Sequence, residues 1–214
     1  MPTTKRTWTR KTVASRCPGR STCPPSCTLC KPAARCGGHQ RRWQLASWLH
    51  RFYCCTGLAH GQKTQLAPNN GAMGYGVPAG IAASILTGRT VFTITGDGDF
   101  LMNGQELATA AQHGAKTIVL LVNNSSFGTI RMHQERAYPA HVIGSALANP
   151  DFCALAQAYG YQADRVRTTA DFEPALRRAL AAVQGTVIEL VLDAEVITTR
   201  GTLSAIRQSA LNGG

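Results

Sequence analysis

Two short, unbroken apolar runs, Thr90–Thr95 (TVFTIT) and Thr117–Val122 (TIVLLV), flank a helix-like stretch at Asn103–Gly114, and this alternation constrains the fold more than any other feature of the chain. Strands that are apolar at every position have both faces covered, and strands joined through helices form βαβ units with a parallel sheet. The same alternation continues downstream. Gln162–Arg167 and Thr186–Asp193 read as further strands, Asp151–Tyr159 as a helix opening after Pro150, and Asp171–Val183 as a helix with Pro174 in its first turn. Upstream, Val77–Gly88 is a small-residue helix able to pack closely, and Leu45, Trp48, Leu49 and Phe52 fall at helical spacing. The expected fold class is α/β, a parallel sheet with helices on both faces, occupying residues 44–214.

In such sheets ligands sit at the carboxyl ends of the strands. The first run is followed by Gly96-Asp97-Gly98-Asp99 and the second by Asn123-Asn124-Ser125-Ser126. A carboxylate and an amide oxygen at the exits of neighbouring strands, with glycines that let backbone approach closely, suit a magnesium ion bridging to a diphosphate. Each motif alone also reads as an ordinary turn. Their pairing at this separation is what points to a diphosphate-bearing cofactor.

The net charge of +11 looks like a nucleic-acid signature until it is located. Residues 1–42 hold Lys5, Lys11, Lys31 and seven arginines without one acidic residue, whereas from Trp43 onward 12 basic and 11 acidic residues nearly cancel. The body therefore lacks the basic face that nucleic acid requires, and no nucleic-acid partner is expected for it. The leader, residues 1–43, shows neither helical nor strand periodicity, so disorder is expected. It permits three further readings. Cys23, Cys27 and Cys30 with Cys36 or His39 have the ingredients of a zinc site, although Pro24 and Pro25 interrupt them. Ten positive charges would also serve as a weak nucleic-acid arm. Finally, an acid-free stretch rich in Arg, Cys and Pro is what an out-of-frame segment of a GC-rich gene encodes, and this fits the composition best. No run approaches the ~18 apolar residues of a membrane span, and the start has basic residues without the apolar stretch of a signal peptide. The expectation is a cytoplasmic protein with no membrane partner.

The segment GDGDFLMNGQELATAAQHGAKTIVLLVNN, Gly96 to Asn124, resembles the cofactor motif of thiamine-diphosphate-dependent enzymes of the acetolactate synthase and 2-oxoacid decarboxylase type. Gln65–Ser84 (QLAPNNGAMGYGVPAGIAAS) is similar to the family segment that holds the cofactor rings, and Phe127–Pro139 (FGTIRMHQERAYP) to the helix and loop that close over it. The resemblance runs from about Leu45 to Ile206. It implies thiamine diphosphate and Mg2+ as cofactors, with Asp97, the side-chain oxygen of Asn124 and the backbone carbonyl of Ser126 as metal ligands. It further implies that Gly96, Gly98 and Asp99 line the diphosphate, Gly98 and Asp99 through backbone N–H groups, and that Phe127 borders the cofactor. Met73 becomes the apolar wedge beneath the bent cofactor, and the Gly71 carbonyl the acceptor for its 4′-amino group. Family members commonly carry a small residue at the position of Asp99, so a carboxylate there weakens diphosphate binding unless it points away.

The chemistry implied is addition of the cofactor's thiazolium to a 2-oxoacid, loss of carbon dioxide and transfer of the acyl unit, with the cofactor as electron sink. It requires a glutamate against the aminopyrimidine, which in the family comes from a separate pyrimidine-binding domain across a dimer interface. Glu106 reads as a helix-start carboxylate and Glu135, in the run Arg131–Arg136, as part of a solvated face, so neither serves as that activator and the catalytic residues are not identified. His133 stands where acetolactate synthases typically have Trp. The expected function is thus cofactor binding as the last domain of an acetolactate-synthase-like lyase or transferase, incomplete alone. The partners are a pyrimidine-binding domain of another chain or a second copy, with a 2-oxoacid as substrate. A split-enzyme subunit, or a non-catalytic binding protein whose leader contacts zinc or nucleic acid, are the alternatives. Without its partner domain, an apolar patch around GAMGYG should be exposed and favour self-association.

Overall fold

The computed structural model describes residues 66, 68, 71–198 and 201–213; the leader and the Leu45–Phe52 stretch lie outside them. Four strands, β1 (Val91–Gly96), β2 (Thr117–Asn123), β3 (Gln162–Val166) and β4 (Thr186–Val191), form one sheet in the order β1-β2-β4-β3. All three pairings are parallel, as the apolar runs require. The register Gly96↔Val122 brings the ends of β1 and β2 side by side, so Asp97 and Asn124 leave the sheet from adjacent strand tips.

Side chains alternate between the two sheet faces, and the core divides accordingly. Val119, Leu121 and Val187 pack with Phe100, Leu107, Phe152 and Ala156 in one buried cluster, while Ile118, Ile188 and Leu190 pack with Ala175 and Ala179 in the other. The first face carries α1 (Gly76–Thr87), α2 (Asp97–Asn103), α3 (Leu107–His113) and α5 (Phe152–Ala158); the second carries α6 (Thr169–Ala181). Phe100 and Phe152 lock α2 to α5 edge to face, with ring centroids 5.6 Å apart. The close approach of α1 to β1 depends on Gly80, where an added Cβ would lie 1.9 Å from Thr93 Oγ1.

The helix expected at Asn103–Gly114 is three pieces. A helix begins at Asp97 itself, directly off β1, and a 3-10 turn at Gly104–Glu106 separates it from α3. Gly96 is extended and Asp97 and Asp99 fall in the first turn, where carboxylates favour a helix start. The expected helix at Asp171–Val183 starts two residues earlier because Thr168 and Asp171 form a reciprocal capping box. Two helices complete the described residues. Helix α4 (Gly128–Ala137) follows the Asn-Asn-Ser-Ser turn, and α7 (Leu203–Asn212) packs against it. No helix among the described residues is long and apolar enough to cross a membrane.

Candidate functional site

The site lies at the joined tips of β1 and β2. Asp97, first residue of α2, is only 3% exposed and forms no ion pair among the described residues. A buried carboxylate needs donors, and Asp97 has two. Its Oδ1 accepts from Gly98 N at 2.9 Å and its Oδ2 from Asn149 Nδ2 at 2.8 Å. The Gly98 N–H assigned above to a diphosphate is therefore engaged by the neighbouring carboxylate. Gly98 must also stay small, because its missing Cβ would fall 2.3 Å from the Phe127 ring. That contact seats Phe127 on the first turn of α2.

Asp99 is bonded to the GAMGYG turn and to the end of β1. Its Oδ1 accepts from Gly74 N and its Oδ2 from Thr95 Oγ1, both at 2.5 Å. Asn103 adds a bond from its Nδ2 to the Gly74 carbonyl at 2.9 Å. The GAMGYG turn is thus fastened to α2 by two side chains, with Gly71 at φ 69° and Gly74 at φ 82° supplying its left-handed positions. Met73 is exposed on the turn, and Leu101 and Met102 are exposed on α2, where the Met102 Cβ lies close to Gly74.

The chain leaves β2 through a tight turn in which each Asn accepts from the residue two further on. Asn123 Oδ1 accepts from Ser125 N at 3.1 Å and Asn124 Oδ1 from Ser126 N at 3.2 Å. Ser125 is left-handed at φ 53°. The Ser126 carbonyl accepts from Gly128 N at 2.8 Å, and antiparallel bridging to Ala146, with Phe127 N donating to the Ser145 carbonyl at 2.8 Å, pins the turn.

Three contributors escaped the motif reading. Asn149 donates not only to Asp97 but also to Asn123 Oδ1 at 2.9 Å, joining the two strand tips. Asn123 in turn donates from Nδ2 to Glu189 Oε1 at 2.7 Å, and Arg165 Nε donates to Glu189 Oε2 at 2.7 Å. Arg165 also reaches Asp151 at 2.7 Å, the residue whose side chain caps α5. Glu189 lies buried within the apolar run of β4, and a lone charge in such a run is the one sequence signal of an internal polar network. Cys153 stands 3.5 Å from Glu189; burial, and then the neighbouring carboxylate, push its thiol up to about 11.

The glutamates are placed differently from each other. Glu106 stands at the N-terminal end of α3, where its side chain accepts from Thr109 Oγ1 at 2.7 Å and makes no capping bond to the backbone. Glu135 is not on a solvated face. It is fully buried and bonded by Arg207 of α7, Arg131 and Ala140 N, which fastens α7 to α4. The Arg207 bond leads in holding its carboxyl down at about 2, against the opposing effect of burial. His133 is exposed on α4.

The donor set fits a hard divalent cation. Such ions take carboxylate, amide and carbonyl oxygens, and Asp97, Asn124 and Ser126 provide one of each from adjacent strand tips. Among the described residues no group of three or more His, Cys, Asp or Glu side chains is arranged to hold a metal, so amide and carbonyl oxygens are needed to complete any such shell. Asn149 Oδ1, buried and without a hydrogen-bond partner beside the Asp97 carboxylate, is an acceptor that a metal-bound water would satisfy.

Comparison with known proteins agrees with this architecture. A family model described as the C-terminal TPP binding domain of thiamine pyrophosphate enzymes matches residues 44–190. The probable acetolactate synthase large subunit of Methanocaldococcus jannaschii is 34% identical over 144 residues, covering 64% of this chain and 24% of that protein. The acetolactate synthase large subunit of Parasynechococcus marenigrum is 36% identical over 151 residues, covering 69% and 24%. Among solved structures, the Rhodococcus jostii RHA1 thiamine diphosphate-dependent 4-hydroxybenzoylformate decarboxylase aligns with a TM-score of 0.56 at 31% identity, covering 59% of this chain and 24% of that one. The chain spans about a quarter of the length of these relatives. With its parallel sheet, its paired strand-tip motifs and a family match over well over half its length, the chain belongs to the C-terminal TPP-binding domains of thiamine pyrophosphate enzymes.

Proposed function

We propose that this chain binds thiamine diphosphate with Mg2+ at the tips of β1 and β2, as the diphosphate-holding half of an acetolactate-synthase-like lyase or transferase. The observation that carries this is the buried Asp97 carboxylate, which lacks an ion-pair partner among the described residues and stands at a strand tip adjacent to Asn124. Asp97, the Asn124 side chain and the Ser126 carbonyl would hold the metal. The oxygens of Asn124 and Ser126 already accept one hydrogen bond each, and an sp2 oxygen keeps a second lone pair for a cation. Gly96 and the first turn of α2 would approach the diphosphate, with Gly71, Met73 and Phe127 bordering the rest of the cofactor.

When bound, thiamine diphosphate supplies the electron sink for decarboxylating a 2-oxoacid. The residues of this chain bind and orient. Asp99 and Asn103 hold the GAMGYG turn against α2, and the Phe127 ring on Gly98 closes the tip from the side of α4. Neither Glu106 nor Glu135 is placed to activate the cofactor, one bonded to Thr109 at the start of α3 and the other clasped by arginines. The activating glutamate would come from a pyrimidine-binding domain on another chain. The exposed Met73, Leu101 and Met102 supply an apolar surface for that partner.

Ligand-linked stability tests the assignment. Thiamine diphosphate at a hundred times its dissociation constant stabilises a native state by about 2.7 kcal/mol. The thermal midpoint of the chain should rise when cofactor and Mg2+ are added together and not with cofactor alone. An unchanged midpoint at millimolar cofactor and Mg2+ refutes the proposal.

A further inference from the structure

We infer that Asn149 is a positioning residue of the cation site, setting the Asp97 carboxylate through a relay of fixed amide orientations that begins at Arg165. The assignment rests on the cofactor reading above and adds to it a residue outside both strand-tip motifs.

The orientation of each amide is dictated by its neighbours. Glu189 is acceptor-only, so Asn123 must turn its NH2 toward Glu189 Oε1, at 2.7 Å. That forces Asn123 Oδ1 to the opposite side, where Asn149 Nδ2 meets it at 2.9 Å. The other neighbour of Asn149 is Asp97 Oδ2 at 2.8 Å, again an acceptor. Both hydrogens of Asn149 Nδ2 are thereby committed, one to each strand tip, and the reverse orientation would set an amide oxygen against a carboxylate. Arg165 anchors the far end, binding Glu189 Oε2 and Asp151 Oδ1 at 2.7 Å each. Because Asp151 follows Asn149 by two residues and caps α5, the same guanidinium fixes the segment that carries Asn149.

The consequence is specific to the metal. With Asn149 and Gly98 as its donors, Asp97 has each carboxylate oxygen bonded once and its plane fixed before any cation arrives. Groups that orient a metal ligand in this way change metal affinity about 10–100-fold when they are removed.

The test is a Mn2+ titration of the full 214-residue chain at saturating thiamine diphosphate, read by electron paramagnetic resonance, for the wild type, Asp97→Ala and Asn149→Ala. A urea unfolding curve of each metal-free protein accompanies it. One Mn2+ per wild-type chain, none for Asp97→Ala, and a dissociation constant raised about tenfold or more in Asn149→Ala with an altered Mn2+ line shape are expected, from a variant that still unfolds cooperatively at a urea midpoint lowered by the two lost hydrogen bonds. Wild-type affinity and line shape in Asn149→Ala overturn the role of Asn149 while leaving the cofactor reading intact. So does a loss of affinity with an unaltered Mn2+ line shape, which marks a structural role only. Absence of Mn2+ binding by the wild type overturns the cofactor reading and this inference with it. Should Asn149→Ala not fold, Asn149→Ser decides. Its short hydroxyl cannot span both acceptors, so weakened Mn2+ binding supports the relay and unchanged binding refutes it.

Discussion

Asp99 binds the backbone N–H of Gly74 across 25 residues of sequence, at 2.5 Å, and so couples the first turn of α2 to the GAMGYG turn. The carboxylate is committed within the fold. Its two oxygens accept from Gly74 N and from Thr95 Oγ1 at the end of β1. Removing it in Asp99→Ala would leave the Gly74 N–H without its acceptor and the Thr95 hydroxyl with only the Gly96 carbonyl, at 3.2 Å. Hydrogen bonds to charged groups are worth about 1.5–3 kcal/mol each, less where solvent substitutes. A loss of about 1–3 kcal/mol in urea unfolding is expected, and a loss below 0.5 kcal/mol would contradict the coupling.

The clasp between α4 and α7 carries a pH signature. The carboxyl of Glu135 lies at about 2 in the folded chain, below its ordinary 4.5, so folding favours the ionised form. The stabilisation it contributes is complete above pH 4.5 and disappears as pH falls from there toward about 2. Glu135→Gln should melt below the wild type at pH 6, and the gap should close between pH 4.5 and 2 when followed by circular dichroism. A gap that does not vary with pH would mean that Glu135 acts through packing alone.

Exposed apolar side chains on the GAMGYG turn and on α2 bear on assembly. Met73, Leu101 and Met102 are each between 42% and 47% exposed, on the turn and on the helix fastened to it. Self-association at micromolar concentration is expected in size-exclusion chromatography, reduced in Leu101→Ser/Met102→Ser. A monodisperse wild-type monomer would show that this surface needs no cover.

Much of this architecture was legible in the sequence, and the exceptions have physical causes. Two apolar runs joined through a helix sufficed for a parallel β1–β2 pair, since unbroken apolar strands have one stable environment. The helix starting at Asp97 was hidden because Gly-Asp-Gly is also turn chemistry, and only the extended Gly96 decides between the two. Within the site, Asp97 and Asn124 were readable as oxygen donors at strand ends. Asn149 was not, because a loop amide has no periodicity, and its role arises from a partner 52 residues away. The burial of Glu135 is hidden for a related reason. Its run, Arg131–Arg136, has the polarity of a solvated face, and burial follows from Arg207, which is 72 residues distant and on a helix the apolar pattern did not reveal.

Calorimetric titration of thiamine diphosphate into the chain, with and without Mg2+ and alongside Asp97→Ala, tests the central claim most directly. Binding that requires Mg2+ and disappears in Asp97→Ala is the predicted result. Binding independent of Mg2+, or retained in Asp97→Ala, or no binding at millimolar cofactor, would contradict a cofactor site built on the tips of β1 and β2.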